Sequence, residues 1–156
     1  QKPRLFSRKH LGSPWFYCVC FSFSDPQKRC FIVRELIWVF IGGGLGSMCR
    51  YAIYYLLKNT NAYLPWPTLV ANAIGSLLIG FLADQLMKNG SVSSPNALFW
   101  ITGFCGGLTT FSAFALENVT LFRLSDSLSL ILYSAMTYFL CLALVLVGAY
   151  LSKTIY

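Results

Sequence analysis

Gly103-Phe104-Cys105-Gly106-Gly107-Leu108-Thr109-Thr110-Phe111-Ser112-Ala113-Phe114 lies in the middle of an apolar stretch covering residues 96–122. A helix of that length is sufficient to cross the hydrocarbon of a bilayer, which takes about 20 apolar residues. The centre is a poor place for a continuous helix, because two adjacent glycines followed by two β-branched threonines have low helix propensity. In lipid, such a break survives only where protein or a wet cavity receives the freed backbone groups. The stretch therefore predicts a membrane helix broken at its middle.

Outward from this stretch the same apolar pattern recurs three times. Residues 36–57 are apolar apart from Gly42-Gly43-Gly44-Leu45-Gly46 and Arg50, residues 67–87 begin on a proline, and residues 128–151 follow a short polar turn at Arg123 to Ser127. A proline at the first helical position forfeits no hydrogen bond. Segments rich in Asn, Pro, Gly and Ser separate the spans, as loops do. The expected fold is an all-α membrane protein of four transmembrane helices, the third broken mid-membrane. Gly42 and Gly46 share one helix face, where missing side chains let another backbone come close, and a second copy of the chain is one candidate for that contact.

Composition agrees: 56% of residues are hydrophobic and 11% charged, against about 25% charged in a typical soluble domain. The net charge of +7 is unevenly placed. Before residue 34, six cations stand against Asp25, and from Arg34 onward six cations stand against four acids. The membrane part is thus almost neutral, with no basic face carrying stacking aromatics to follow a phosphate backbone, and nucleic acid is excluded as a partner. With four spans, Arg34, Lys88 and Lys153 fall on one side of the bilayer and Arg50, Lys58 and Arg123 on the other. Lysine and arginine in short loops set orientation. Three against three gives no bias, so two copies of opposite orientation could pair about an axis in the membrane plane.

Residues 1–33 differ from the rest, being basic and irregular around one apolar run, Trp15 to Phe23, that is too short to span. A polar Ser24-Asp25-Pro26-Gln27-Lys28-Arg29 follows that run in place of a small-residue cleavage site, which speaks against a secretory signal. The segment is read as an N-terminal extension, disordered or non-native, with Val33 as an alternative start. Residues 34–156 form the membrane domain.

Catalytic and metal chemistries find little support. His10 is the only histidine, and Cys18, Cys20, Cys30, Cys49, Cys105 and Cys141 contain no C-x-x-C pair. The spans do carry neutral hydrogen-bonding groups in register. Thr68, Asn72 and Ser76 recur every fourth residue on one stripe, and Tyr133, Thr137 and Cys141 on another. One such stripe serves interhelical packing as readily as an ion path; two beside a broken helix favour the path. Phe111 and Phe114, three apart, project from nearly one face. They can be ordinary packing, or two rings whose positive edges attract a small anion without a formal charge.

The stretch from Gly103 to Phe114, with Glu117 beyond it, closely resembles the third-helix signature of the CrcB/Fluc family of fluoride channels. Gly42-Gly43-Gly44-Leu45-Gly46-Ser47-Met48-Cys49-Arg50-Tyr51 resembles that family's first-helix motif, and Thr68-Leu69-Val70-Ala71-Asn72-Ala73-Ile74-Gly75-Ser76 its second. The likeness covers residues 34–156, in order and spacing, and is weakest in the fourth helix. It implies an antiparallel dual-topology homodimer with two pores in a cell membrane, specifically a bacterial inner membrane, exporting fluoride passively from the cytoplasm. By the same likeness Phe111 and Phe114 line the pore and Asn72 donates an amide hydrogen to the ion, while Thr68, Ser112, Tyr133 and Thr137 belong to a polar track. Arg50 matches a position near the pore mouth, or is a snorkelling anchor. The carbonyls of Gly106 and Thr109 from both subunits would hold a structural sodium ion, in keeping with a hard cation's preference for oxygen. Ala113 stands where the family often has a hydroxyl, and Thr137 and Cys141 where it has serine. Glu117 fits a capping or interface role as well as one in permeation.

Two other classes compete. A small proton-coupled four-helix exporter of dual topology needs a carboxylate deep in a span, and Glu117 alone could serve. A purely structural membrane subunit leaves the polar stripes and the glycine break without purpose.

Overall fold

A computed structural model describes residues 26–58, 64–87 and 94–155. The described chain is all helical. Helix α1 (Pro26–Leu57) and α2 (Trp66–Met87) are followed by a short α3 (Pro95–Ala97), a π-helical segment (Leu98–Cys105) and a short α4 (Gly106–Leu108), then by α5 (Phe111–Arg123) and α6 (Ser127–Ile155). Four stretches are long and apolar enough to cross a membrane: Ile32–Leu57, Trp66–Ala83, Pro95–Arg123 and Ser127–Ile155. They coincide with the four spans read from hydropathy, and the chain is a multi-pass membrane protein.

The N-terminal extension lies outside the described residues as far as Asp25. Helix α1 begins at Pro26, well before residue 36. Hydropathy ends the span at the charged residues, whereas Pro26 suits a first helical turn and Gln27, Lys28 and Arg29 are good helix formers.

The third span starts on a capped turn, with the Ser94 hydroxyl accepting the Ala97 N–H at 3.2 Å. Within the weak run from Gly106 to Thr110, helix gives way at the threonines. Gly106 and Gly107 are helical, and Thr109 (φ −81°, ψ 153°) and Thr110 (φ −151°, ψ 121°) carry the extended backbone between α4 and α5. β-Branched residues tolerate that conformation well. Each threonine also finishes a helix. Thr109 Oγ1 donates to the Cys105 carbonyl at 2.9 Å, and Thr110 Oγ1 accepts the Ala113 N–H at 3.3 Å as the cap of α5.

Glycine sets the packing. A Cβ on Gly42 would come within 2.3 Å of the Phe99 carbonyl oxygen, one on Gly46 within 2.2 Å of the Phe104 carbonyl oxygen, and one on Gly107 within 2.4 Å of the Gly43 carbonyl oxygen. Helix α1 and the third span therefore meet backbone to backbone. The Gly42/Gly46 face is occupied within the chain by the third span, so it is not the contact for a second copy. Helices α2 and α6 mate the same way, a Cβ on Gly80 falling 2.2 Å from the Val145 carbonyl oxygen and one on Gly148 2.3 Å from that of Leu77.

Few large side chains are buried: Leu69, Leu108, Leu121 and Tyr133 among them. Phe40, Leu56, Leu128, Phe139 and Leu146 point outward. That distribution suits a hydrocarbon solvent, in which apolar side chains lose nothing by facing out and backbone contact holds helices together. Between α5 and α6 the chain turns through Ser125 in the left-handed region (φ 58°), with the Asp126 N–H on the Leu121 carbonyl at 3.2 Å and the Ser125 N–H on the Phe122 carbonyl at 3.0 Å.

Candidate ion pathway

The site is organised around the extended Thr109-Thr110 backbone. In a continuous helix the Thr110 N–H would donate to the Gly106 carbonyl. It donates instead to Asn72 Oδ1 at 2.7 Å, and Asn72 Nδ2 donates to the Thr110 carbonyl at 3.2 Å. The α2 side chain thus pairs with the backbone of Thr110 in both directions, and one of its two amide hydrogens remains for another partner. That pairing answers the need of an apolar interior, where an unpaired backbone group costs about 1–3 kcal/mol.

Two cavities flank this joint. The first, of about 470 Å³, is lined by Asn72, Ser76, Thr110, Phe111, Phe114 and Thr137, with Cys141 further along α6. The second, of about 350 Å³, is lined by Arg50, Tyr51, Tyr54, Thr68, Thr110 and Glu117. Thr110 borders both.

Beside the second cavity stands a polar cluster centred on Glu117, whose role the sequence leaves open. Glu117 accepts from the Thr68 hydroxyl at 2.5 Å through Oε1 and from the Tyr133 hydroxyl at 2.6 Å through Oε2. It therefore ties α2, α5 and α6 together. Tyr133 is fully buried, and its ring lies 5.4 Å from that of Phe114 between centroids. Phe114 in turn sits 5.7 Å from Phe111, tilted by 45°. Phe111 is 78% exposed on the protomer surface, whereas Phe114 is half-buried.

The structure brings Asn72, Phe111, Phe114 and Thr137 to the first cavity and Thr68 and Arg50 to the second. Tyr133 bridges to the second through Glu117. Ser112 lies outside both linings, exposed, its hydroxyl 3.0 Å from that of Thr110. Gly106 is exposed, with open space where a Cβ would stand.

One polar pair escapes a reading of the sequence. Asn118 Nδ2 donates to the Phe114 carbonyl at 2.9 Å, and the Ser134 hydroxyl donates to Asn118 Oδ1 at 2.7 Å. An amide inside an apolar stretch is the available signal, the same one that singles out Asn72.

Residues 37–149 match the model of a family described as CrcB-like protein, Camphor Resistance (CrcB). Proteins named fluoride-specific ion channel FluC are similar over most of their length. The one from Azobacteroides pseudotrichonymphae is 35% identical over 78% of this chain and 98% of its own. That of Flavobacterium psychrophilum is 38% identical over 78% and 98%, and that of Francisella philomiragia 37% identical over 78% and 96%. With its four spans, its helix joint at Thr109-Thr110 and a family match across most of its length, the chain belongs to the CrcB family.

Proposed function

We propose that this protein is a fluoride-selective channel that lowers cytoplasmic fluoride by passive export across a cell membrane. The observation that carries the reading is the cavity bounded by Asn72, Thr110, Phe111, Phe114 and Thr137 in a chain whose relatives are named fluoride-specific ion channels. Fluoride is small and holds its water tightly. A pore must replace that water with closely set donors, yet present no charge so attractive that the ion stays. Neutral groups meet both demands: the second amide hydrogen of Asn72, the rotatable hydroxyl of Thr137 and the ring edges of Phe111 and Phe114.

The working unit is an antiparallel homodimer of dual topology. Its support is the three-against-three charge balance of residues 34–156 and the exposed Phe111, half of a ring pair that a second copy would enclose. Interruption of the third span within the bilayer is part of the same reading. The Gly106 carbonyl, which does not receive the Thr110 N–H, and the Thr109 carbonyl on extended backbone form an oxygen donor set suited to a structural sodium ion on the dimer axis. Arg50 borders the second cavity as a pore-mouth residue.

Reconstitution into liposomes tests the function. Fluoride efflux is expected without chloride efflux and without a proton gradient. Strict dependence on a proton gradient would establish the small proton-coupled exporter instead, and no flux at all would leave a structural subunit.

A further inference from the structure

We propose that Asn118 and Ser134 are positioning residues for the ion path: without lining it, they fix how α5 is rolled against α6 and so where the Phe114 ring stands. The effect on conduction rests on the channel reading above. Phe114 borders the first cavity, whereas Asn118 and Ser134 line neither. Asn118 lies one turn beyond Phe114 on the same face of α5. Its Nδ2 donates to the Phe114 carbonyl at 2.9 Å, and its Oδ1 accepts from the Ser134 hydroxyl of α6 at 2.7 Å. A carbonyl can only accept, so the amide has one usable orientation, and the two bonds run from α6 to the backbone of Phe114 itself.

Helix α5 needs such a tie. It contains no glycine, so it has none of the close backbone contacts that seat α1 against the third span and α2 against α6. Leu121 is its one buried residue. Apolar packing alone gains little in lipid, so α5 is placed chiefly by hydrogen bonds. Glu117 supplies one rung to α6, through Tyr133 at 2.6 Å, and Asn118 supplies the next, through Ser134. Successive helical residues stand about 100° apart around the axis. Ties at Glu117 alone would be a pivot about which α5 can roll; a second rung that far around the helix leaves one rolled position. With that position goes the Phe114 ring, held 5.4 Å from the Tyr133 ring between centroids.

The test compares variants of the full chain in liposomes, with fluoride efflux counted per folded protein, and reads the ring directly by fluorine NMR with para-fluorophenylalanine in place of Phe114. Asn118→Ala should lower efflux by about twofold to tenfold, the population change that one hydrogen bond can impose. It should also shift or broaden the fluorine resonance. Ser134→Ala should act in the same direction, and carries the comparison alone should Asn118→Ala not fold. Ser134→Thr, which keeps the hydroxyl, should match wild type, and the double variant Asn118→Ala/Ser134→Ala should fall no further than Asn118→Ala. Thr120→Val is the control on the same helix. It deletes a bond of the same kind, from Thr120 Oγ1 to the Leu116 carbonyl at 2.9 Å, that reaches no other helix, and should leave both readouts unchanged. Interhelical glue alone would lower the yield of folded protein and leave efflux per folded protein intact, which overturns the proposal. So would an unmoved resonance in Asn118→Ala, losses that multiply in the double variant, or Thr120→Val behaving like Asn118→Ala. If the wild type passes no fluoride, the channel reading fails by itself, and the resonance alone decides what places the ring.

Discussion

Asn72 and Thr110 exchange two hydrogen bonds, side-chain amide to backbone, across the boundary between α2 and the joint of the third span. Asn72→Asp keeps the acceptor for the Thr110 N–H but sets a second oxygen opposite the Thr110 carbonyl, where a donor now stands 3.2 Å away. The variant should lose about 1–3 kcal/mol of stability, measured by thermal unfolding in detergent. It should also lose fluoride efflux, because a negative charge borders the anion's cavity.

Glu117 holds two hydroxyls, and removing it strands both. Glu117→Ala should destabilise by about 2–6 kcal/mol, the sum of two buried unpaired groups. Glu117→Gln, which can accept one hydroxyl and meet the other with its amide, should cost less than half as much. A double-mutant cycle with Tyr133→Phe should give a coupling of about 0.5–3 kcal/mol; zero coupling would contradict the 2.6 Å bond.

The glycine contacts predict opposite outcomes for neighbouring positions. Gly46→Ala should cost about 1–3 kcal/mol through forced separation of α1 from the third span, because its Cβ would lie 2.2 Å from a backbone oxygen. A Cβ on Gly44 would meet nothing within 4 Å. Gly44→Ala should therefore be neutral or gain up to about 1 kcal/mol from helix propensity. Thermal unfolding of both variants in one detergent makes the comparison.

For the ring pair, flux and stability should separate. Phe111→Ile removes a ring that is 78% exposed on the protomer, so efflux should fall steeply with little change in unfolding of the dissociated protein. Phe114→Ile loses the contact with Tyr133 as well, and should lower both. Wild-type efflux from both variants would rule out ring edges as anion ligands.

Outside the membrane, hydrogen bonds from Ser129, its hydroxyl first and its backbone N–H second, hold the Asp126 carboxyl below the usual carboxylate range. A lowered folded value means that the carboxylate favours the folded state. That contribution is complete above the unfolded value of about 3.9 and is lost as pH falls through the lowered folded value. Unfolding followed from about pH 6 down to about pH 3, across the range in which an ordinary carboxylate titrates, should show a loss in wild type that is smaller in Asp126→Asn.

Much of this is legible in the sequence, for physical reasons. Hydropathy locates four spans because lipid tolerates few charges, and Asn72, Thr68 and Thr137 stand out because polar groups in hydrocarbon need a purpose. Propensity marks Gly106 to Thr110 as a weak helix but cannot say which backbone groups will find a partner, and here Asn72 selects Thr110. The partner of Gly42 and Gly46 is equally hidden. Spacing reveals a close-approach face, and only the three-dimensional arrangement shows that Phe99 and Phe104 fill it. Ser112 shares its neighbourhood with Phe111 in sequence, yet its hydroxyl turns to Thr110 and lines neither cavity.

The pairing of α1 with the third span and of α2 with α6 also bears on biosynthesis. Spans leave the ribosome in chain order, but the glycine faces that bring backbones together are interleaved, first with third and second with fourth. Among the described residues, no two consecutive spans make such a backbone contact at a glycine. A nascent chain halted at Arg123 would have α1 seated while Gly80 still waits for Val145, so the protomer closes only when its last helix arrives.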